Sequence, residues 1–223
     1  MFPLKDTQRS YSRPVVTIAI IIVNLLVFLF EASLGSYRLN RFIEYYGLVP
    51  DEFQVSRIFT SMFLHGGWLH VLGNMWFLWI FGDNIEDLLG HAKYVLFYLV
   101  CGVAAALGQV IANPYSTVPM VGASGAIAGV MGAYLVKFPR SRILTLVFIL
   151  FFITTVEIPA PIMLAYWFVI QLFSGIGSIA RTNLSQGGTA FFAHIAGFVT
   201  GIVLVKIMGS SSLYNRRRDR YWE

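Results

Sequence analysis

The chain has 223 residues, of which 57% are hydrophobic, 16% aromatic and only 12% charged. A soluble domain carries about 25% charged residues and about 45–50% apolar ones, so this composition excludes a disordered chain, a fibre, a coiled coil and an ordinary soluble enzyme. A single cysteine, Cys101, allows no internal disulfide. The formal charge of +5 takes its meaning from where the basic residues fall relative to the apolar runs.

A membrane-crossing helix needs about 20 mostly apolar residues. In chain order the candidate runs are Val15 to Ala32, Trp68 to Phe81, Tyr94 to Ala112, Val121 to Phe138, Pro161 to Ile179 and Phe191 to Met208. They predict six spans. The first run is longer than a cleaved signal core and has no small-residue cleavage site after it, so it reads as a retained anchor helix. A seventh stretch, Ile143 to Ile158, is short and rich in β-branched residues. Such a run fits helix, strand or interfacial segment, and it is taken as membrane-associated without crossing. Between the first two runs, Glu31 to Gly67 mixes charges with aromatics and predicts a folded outer loop with amphipathic pieces.

With six spans, twelve of the 16 Lys and Arg residues fall on one side, including Lys5, Arg9, Lys137, Arg140 and the tail Arg216–Arg220. Arg38, Arg41, Arg57 and Arg181 fall on the other. Excess Lys and Arg mark the cytoplasmic side, so both termini are predicted there. The basic tail reads as a topology anchor beside anionic lipid, and no nucleic-acid partner is indicated. The resulting division is a cytoplasmic segment 1–14, a membrane domain 15–208 and a basic cytoplasmic tail 209–223. The lack of an added soluble domain suggests a minimal form in a prokaryotic cytoplasmic membrane.

Ionisable and polar groups inside spans are costly, and each is a candidate functional residue. The second run opens with HGGWLHVLGN, His65 to Asn74, in which His70 and Asn74 share a helix face. The fourth opens with Gly122-Ala123-Ser124-Gly125. A serine between glycines at a helix start has an open Oγ beside free backbone N–H groups, which suits acyl transfer. The same string also contains Gly125-xxx-Gly129, a helix-packing motif, and both readings fit. The sixth run holds His194 in AHIAG, with Gly197 and Gly201 on roughly the same face. His194 fits either an interhelical hydrogen bond or a base for Ser124. If Ile143 to Ile158 crossed, Ser124 and His194 would lie at opposite surfaces. Two crossings between them keep the pair together. Asn74 and His70 can donate hydrogen bonds to an oxyanion. Metal binding is disfavoured, since His65 and His70 do not share a face and no HExxH string occurs. The polar residues gather at one end of the bundle, which argues against a transport path.

Three separated strings, HGGWLHVLGN, GASG and AHIAGFVTG, in this order and spacing, resemble the rhomboid family of intramembrane serine proteases. The resemblance covers about residues 10 to 210. It implies an all-α polytopic membrane protein, a six-helix bundle with a folded outer loop between the first two spans and a water-filled site sunk below the outer surface. It implies Ser124 as nucleophile and His194 as general base, without an obligatory acid or any cofactor. The oxyanion hole would be the Ser124 N–H, the Asn74 amide and the His70 ring. His65 and Arg57 would be structural in the outer loop, and Glu86 would tie helix to loop. Gly122 and Gly125 would flank the nucleophile, with Gly197 and Gly201 as close-packing residues beside the histidine. The substrates implied are transmembrane segments of other membrane proteins in the bilayer, reaching the site past the second and fifth spans. Two positions depart from the family pattern. Ser56 stands where a tryptophan often precedes the loop arginine, and Ala128 stands where an aromatic often stacks on the histidine. His194 must therefore be positioned by something else.

Overall fold

A computed structural model of the chain describes residues 2–149, 152–180, 190–212 and 214–215. Arg181 and the Arg216–Arg220 tail lie outside the described residues. The elements run β1 (Phe2–Asp6), α1 (Val15–Ser33), α2 (Ser36–Tyr46), α3 (Val55–Thr60), a 3-10 turn (Ser61–Phe63), α4 (Trp68–Leu89), α5 (His91–Ala112), α6 (Ser124–Lys137), β2 (Arg142–Ile149), β3 (Phe152–Pro159), α7 (Ala160–Ala180) and α8 (Phe191–Met208).

Every expected apolar run is helical, with shifted ends. α4 continues past Phe81 through Asp83, Glu86 and Asp87, and α6 begins at Ser124 instead of Val121. Among the described residues, α1, α5 and α8 are long and apolar enough to cross a membrane, while α6 and the first half of α7 are shorter apolar helices. Leu26, Leu29, Leu96, Val199 and Val203 stand exposed on the outside of the bundle. Such surfaces are costly in water and suited to lipid.

The expectation of an all-α chain is corrected by a three-stranded antiparallel sheet, ordered β1-β2-β3. β2 and β3 form a hairpin in register from Arg142 opposite Pro159 to Ile149 opposite Phe152. Alternating β-branched residues, Ile143, Thr145, Val147 and Ile149, favour the pleated conformation over helix. The hairpin returns the chain to the end it left. β1, inside the segment expected to be a cytoplasmic lead-in, pairs with β2.

Polar side chains close helix ends that the sequence leaves bare. Glu86 of α4 accepts from the Val16 and Thr17 amides at 2.8 Å each and from Thr17 Oγ1 at 2.7 Å. It thereby satisfies the orphan donors at the start of α1, where a carboxylate also meets the positive end of the helix dipole. His91 Nδ1 lies 2.6 Å from the same carboxylate. Gln109 of α5 does the equivalent for α8, accepting from the Ala193 amide at 3.3 Å. Replacing Glu86 by Ala strands buried donors. Thermal unfolding in detergent should show a loss of about 3 kcal/mol. Arg41→Ala, which breaks only the exposed pair with Glu44, should change stability by less than about 0.5 kcal/mol.

Candidate active site

The site begins with the contact between α6 and α8. A Cβ on Gly197 would overlap the Gly125 carbonyl, one on Gly201 would overlap that of Gly129, and one on Gly132 would overlap that of Phe198. The two backbones therefore touch. Gly125 and Gly129 also receive Ala105 and Cys101 of α5. The packing motif is thus used as packing, and Ser124 stands immediately beside it at the first position of α6.

Ser124 Oγ lies 2.7 Å from His194 Nε2, across helices that are 70 residues apart in sequence. His194 is 3% exposed, and its Nδ1 has no hydrogen-bond partner among the described residues. The Trp167 ring of α7 packs against the His194 imidazole with centroids 5.3 Å apart. Ala128 leaves room on α6, and the aromatic support comes from a different helix.

The approach to Ser124 is held by the preceding backbone. Leu48 and Met120 exchange hydrogen bonds of 3.0 and 2.8 Å, and the Gly122 amide donates to the Ser61 carbonyl at 2.9 Å. Gly122 has φ +126°, a region that side chains rarely enter. A Cβ there would come within 2.7 Å of His70 Nε2 and 3.6 Å of Asn74 Nδ2. The two candidate oxyanion donors therefore lie against the backbone just ahead of the serine.

The protonation of these donors follows from their partners. The Gly66 amide donates to His70 Nδ1 at 3.4 Å, which leaves the His70 proton on Nε2, the nitrogen beside Gly122. Asn74 Nδ2 donates to His65 Nε2 at 3.0 Å. Burial, with a smaller effect of the neighbouring His70, pushes His65 down to about 3. His65 is therefore neutral and able to accept. The amide of His65 donates to Glu31, at 3.2 Å from Oε2.

A cavity of about 1380 Å³ opens onto Ser124, His194, His70, Asn74, Gly122 and Trp167. Of the other expected residues, Arg57 is buried in α3, where Nη1 meets Glu52 Oε2 at 3.5 Å, away from the cavity wall. Glu86 serves the far end of α4. Trp167 and Glu31 are site residues that sequence reasoning missed. The only signals were an unmet need for an aromatic near His194 and a carboxylate in the last turn of an apolar run.

Comparison with known proteins finds relatives over most of the chain. The family model described as Rhomboid domain matches residues 52–211. The yeast Rhomboid protein 1, mitochondrial (Saccharomyces cerevisiae) is 28% identical over 169 residues, covering 73% of this chain and 45% of that protein. The Putative rhomboid protease YdcA of Bacillus subtilis is 33% identical over 138 residues, covering 60% and 69%. Rhomboid-like protein 11, chloroplastic, of Arabidopsis thaliana is 28% identical over 207 residues, covering 92% and 69%. The chain thus spans less than half the length of the yeast relative.

If Trp167 orients the histidine, Trp167→Ala should slow phosphonylation of Ser124 by a fluorophosphonate about tenfold, in line with the worth of one aromatic contact. Trp167→Phe should recover most of that rate at unchanged melting temperature. Equal rates in all three proteins would show that the ring only fills space.

Proposed function

This chain belongs to the rhomboid family, and on that premise we propose that it is an intramembrane serine endopeptidase that cuts transmembrane segments of other membrane proteins. The observation that carries the reading is the 2.7 Å pairing of Ser124 Oγ with His194 Nε2 at a helix N-terminus, beside two further hydrogen-bond donors.

In this reading α1, α4, α5, α6, α7 and α8 are the six spans, and the hairpin does not cross. The chain is a multi-pass membrane protein whose first span starts and whose last span ends on the cytoplasmic side, where most basic residues then fall, while β1 lies back along α4. α6 has 14 residues and reaches about 21 Å, against a hydrocarbon core of about 30 Å. If its Lys137 end sits at the cytoplasmic surface, Ser124 is sunk several ångströms below the outer one. That depth suits cleavage near the outer face, with water arriving through the cavity.

A helical peptide bond has its carbonyl already hydrogen-bonded and its carbon shielded, so the substrate segment must unwind before attack. Segments with helix-breaking residues near their outer end do so at least cost. Ser124 Oγ attacks the exposed carbonyl carbon while His194 Nε2 takes its proton. The oxyanion is stabilised by the His70 Nε2–H, the Asn74 amide and the Ser124 backbone N–H. His194 then protonates the leaving amine. A water molecule, deprotonated by His194, hydrolyses the acyl-enzyme and restores the serine. The unpartnered Nδ1 of His194 fits a dyad in which aromatic packing holds the ring, in place of a carboxylate.

Purified protein in detergent should cleave a single-span substrate, and Ser124→Ala should abolish cleavage. Equal cleavage by both would remove the nucleophile. Asn74→Ala should lower turnover on the order of 10²-fold while the protein still melts cooperatively. Unchanged turnover would make Asn74 a packing residue.

A further inference from the structure

β1 is anchored to α4 at two points. Trp76 Nε1 donates to the Pro3 carbonyl at 2.6 Å, and Asn84 Nδ2 donates to Asp6 Oδ2 at 2.9 Å. Tyr134 of α6 also donates to Asp6 Oδ2. Trp76 and Asn84 are roughly 12 Å apart along the helix axis, and Pro3 to Asp6 in a strand covers roughly 10 Å. β1 therefore lies flat along α4. Its other edge pairs with β2, from Phe2 opposite Leu146 to Asp6 opposite Ile143. β3 leads directly into α7. The strand thus fills the space between α4 and the sheet that carries α7.

This space adjoins the site. Trp76, bonded to Pro3, is two residues from Asn74, roughly 3 Å along the axis. Phe2 and Pro3 line the same cavity as Ser124 and His194. Just above, α4 and α7 meet through Phe77 and Trp167, with ring centroids 6.3 Å apart, and Trp167 is the ring that packs on His194. The ladder between β1 and β2 is interrupted at its outer end, although the Thr7 amide donates to the Arg142 carbonyl at 2.9 Å at the other. Pro3 offers no N–H to the ladder, and the register shifts between Pro3 and Lys5.

We propose that the edge of β2 facing α4 is a docking site for an extended apolar segment of the substrate, and that β1 covers this site until substrate displaces it. The proposal rests on the endopeptidase reading above. An unwound segment has lost its helical hydrogen bonds. The β2 edge, once vacated, offers main-chain partners for them without requiring a particular sequence. Strand pairing there would hold the segment extended beside Asn74, in the conformation that attack requires. β1, with Phe2, Pro3 and Leu4 leading into Lys5 and Asp6, occupies the place of such a segment.

A cross-link tests this in the full chain. Lys5 and Leu144 face each other in the ladder, where Cα atoms sit about 4.5–5.5 Å apart, within the span of a disulfide. Cys101 is buried and stays in place. In Lys5→Cys/Leu144→Cys, the oxidised protein should cleave a single-span substrate at least about tenfold more slowly than the reduced protein. Fluorophosphonate labelling of Ser124 should be equal in the two forms. Equal cleavage in both forms would overturn the docking site. The converse variant, Asp6→Ala with Trp76→Phe, removes both anchors and should cleave a few-fold faster while the protein still melts cooperatively. A folded variant that cleaves no faster would also overturn it. The two readings fail separately: cleavage by Ser124→Ala would bring down the endopeptidase, whereas a Ser124-dependent activity indifferent to the cross-link would bring down the docking site alone.

Discussion

The backbone contact between α6 and α8 sets the distance on which the site depends. In lipid there is little hydrophobic gain from bringing two apolar helices together, so association relies on van der Waals fit and on small residues that let backbones meet. Gly125, Gly129 and Gly132 on one helix and Gly197 and Gly201 on the other supply that fit. Because the contact begins at both helix starts, the first residue of α6 and the first turn of α8 lie side by side. Moving the helices apart by about 1 Å would take Ser124 and His194 beyond hydrogen-bond range. The small-residue faces therefore set the Ser124–His194 distance as well as the packing.

Around that contact, scarce polar groups hold the elements in place. An unpaired polar group is costly in a low-dielectric interior. Glu86 fixes α1 to α4 through the Val16 and Thr17 amides. Gln109 fixes the start of α8 to α5 one residue before His194. Glu31 holds the His65 amide, and His65 in turn accepts from Asn74. The Asn74 side chain is thus held from α1 through the HGG turn, and the donors beside Gly122 are fixed in place by the fold itself. Such preorganisation makes an oxyanion donor effective.

The sequence made the helical runs legible because apolar length and composition are local properties. It also marked Ser124, His194, His70 and Asn74, since polar groups inside apolar runs are rare. The sheet was less legible. Ile143 to Ile158 is too short to separate strand from helix by periodicity, and β1 has no alternation to read around Pro3. Trp167 and Gln109 were illegible for a different reason. Each looks like an ordinary member of its own helix, and its role exists only once α7 or α8 is packed beside it. The 12% of charged residues first marked a membrane chain, yet several of those charges, Glu31, Glu86 and Asp6 among them, tie helices and strands together.

In the proposed mechanism Ser124 is a nucleophile activated by His194. Mass spectrometry of the protein treated with a fluorophosphonate tests it most directly. Activation by His194 requires a single adduct on the peptide containing Ser124, absent from His194→Ala protein that retains its melting temperature. An adduct on another residue, or one on Ser124 that forms equally fast without His194, would contradict it.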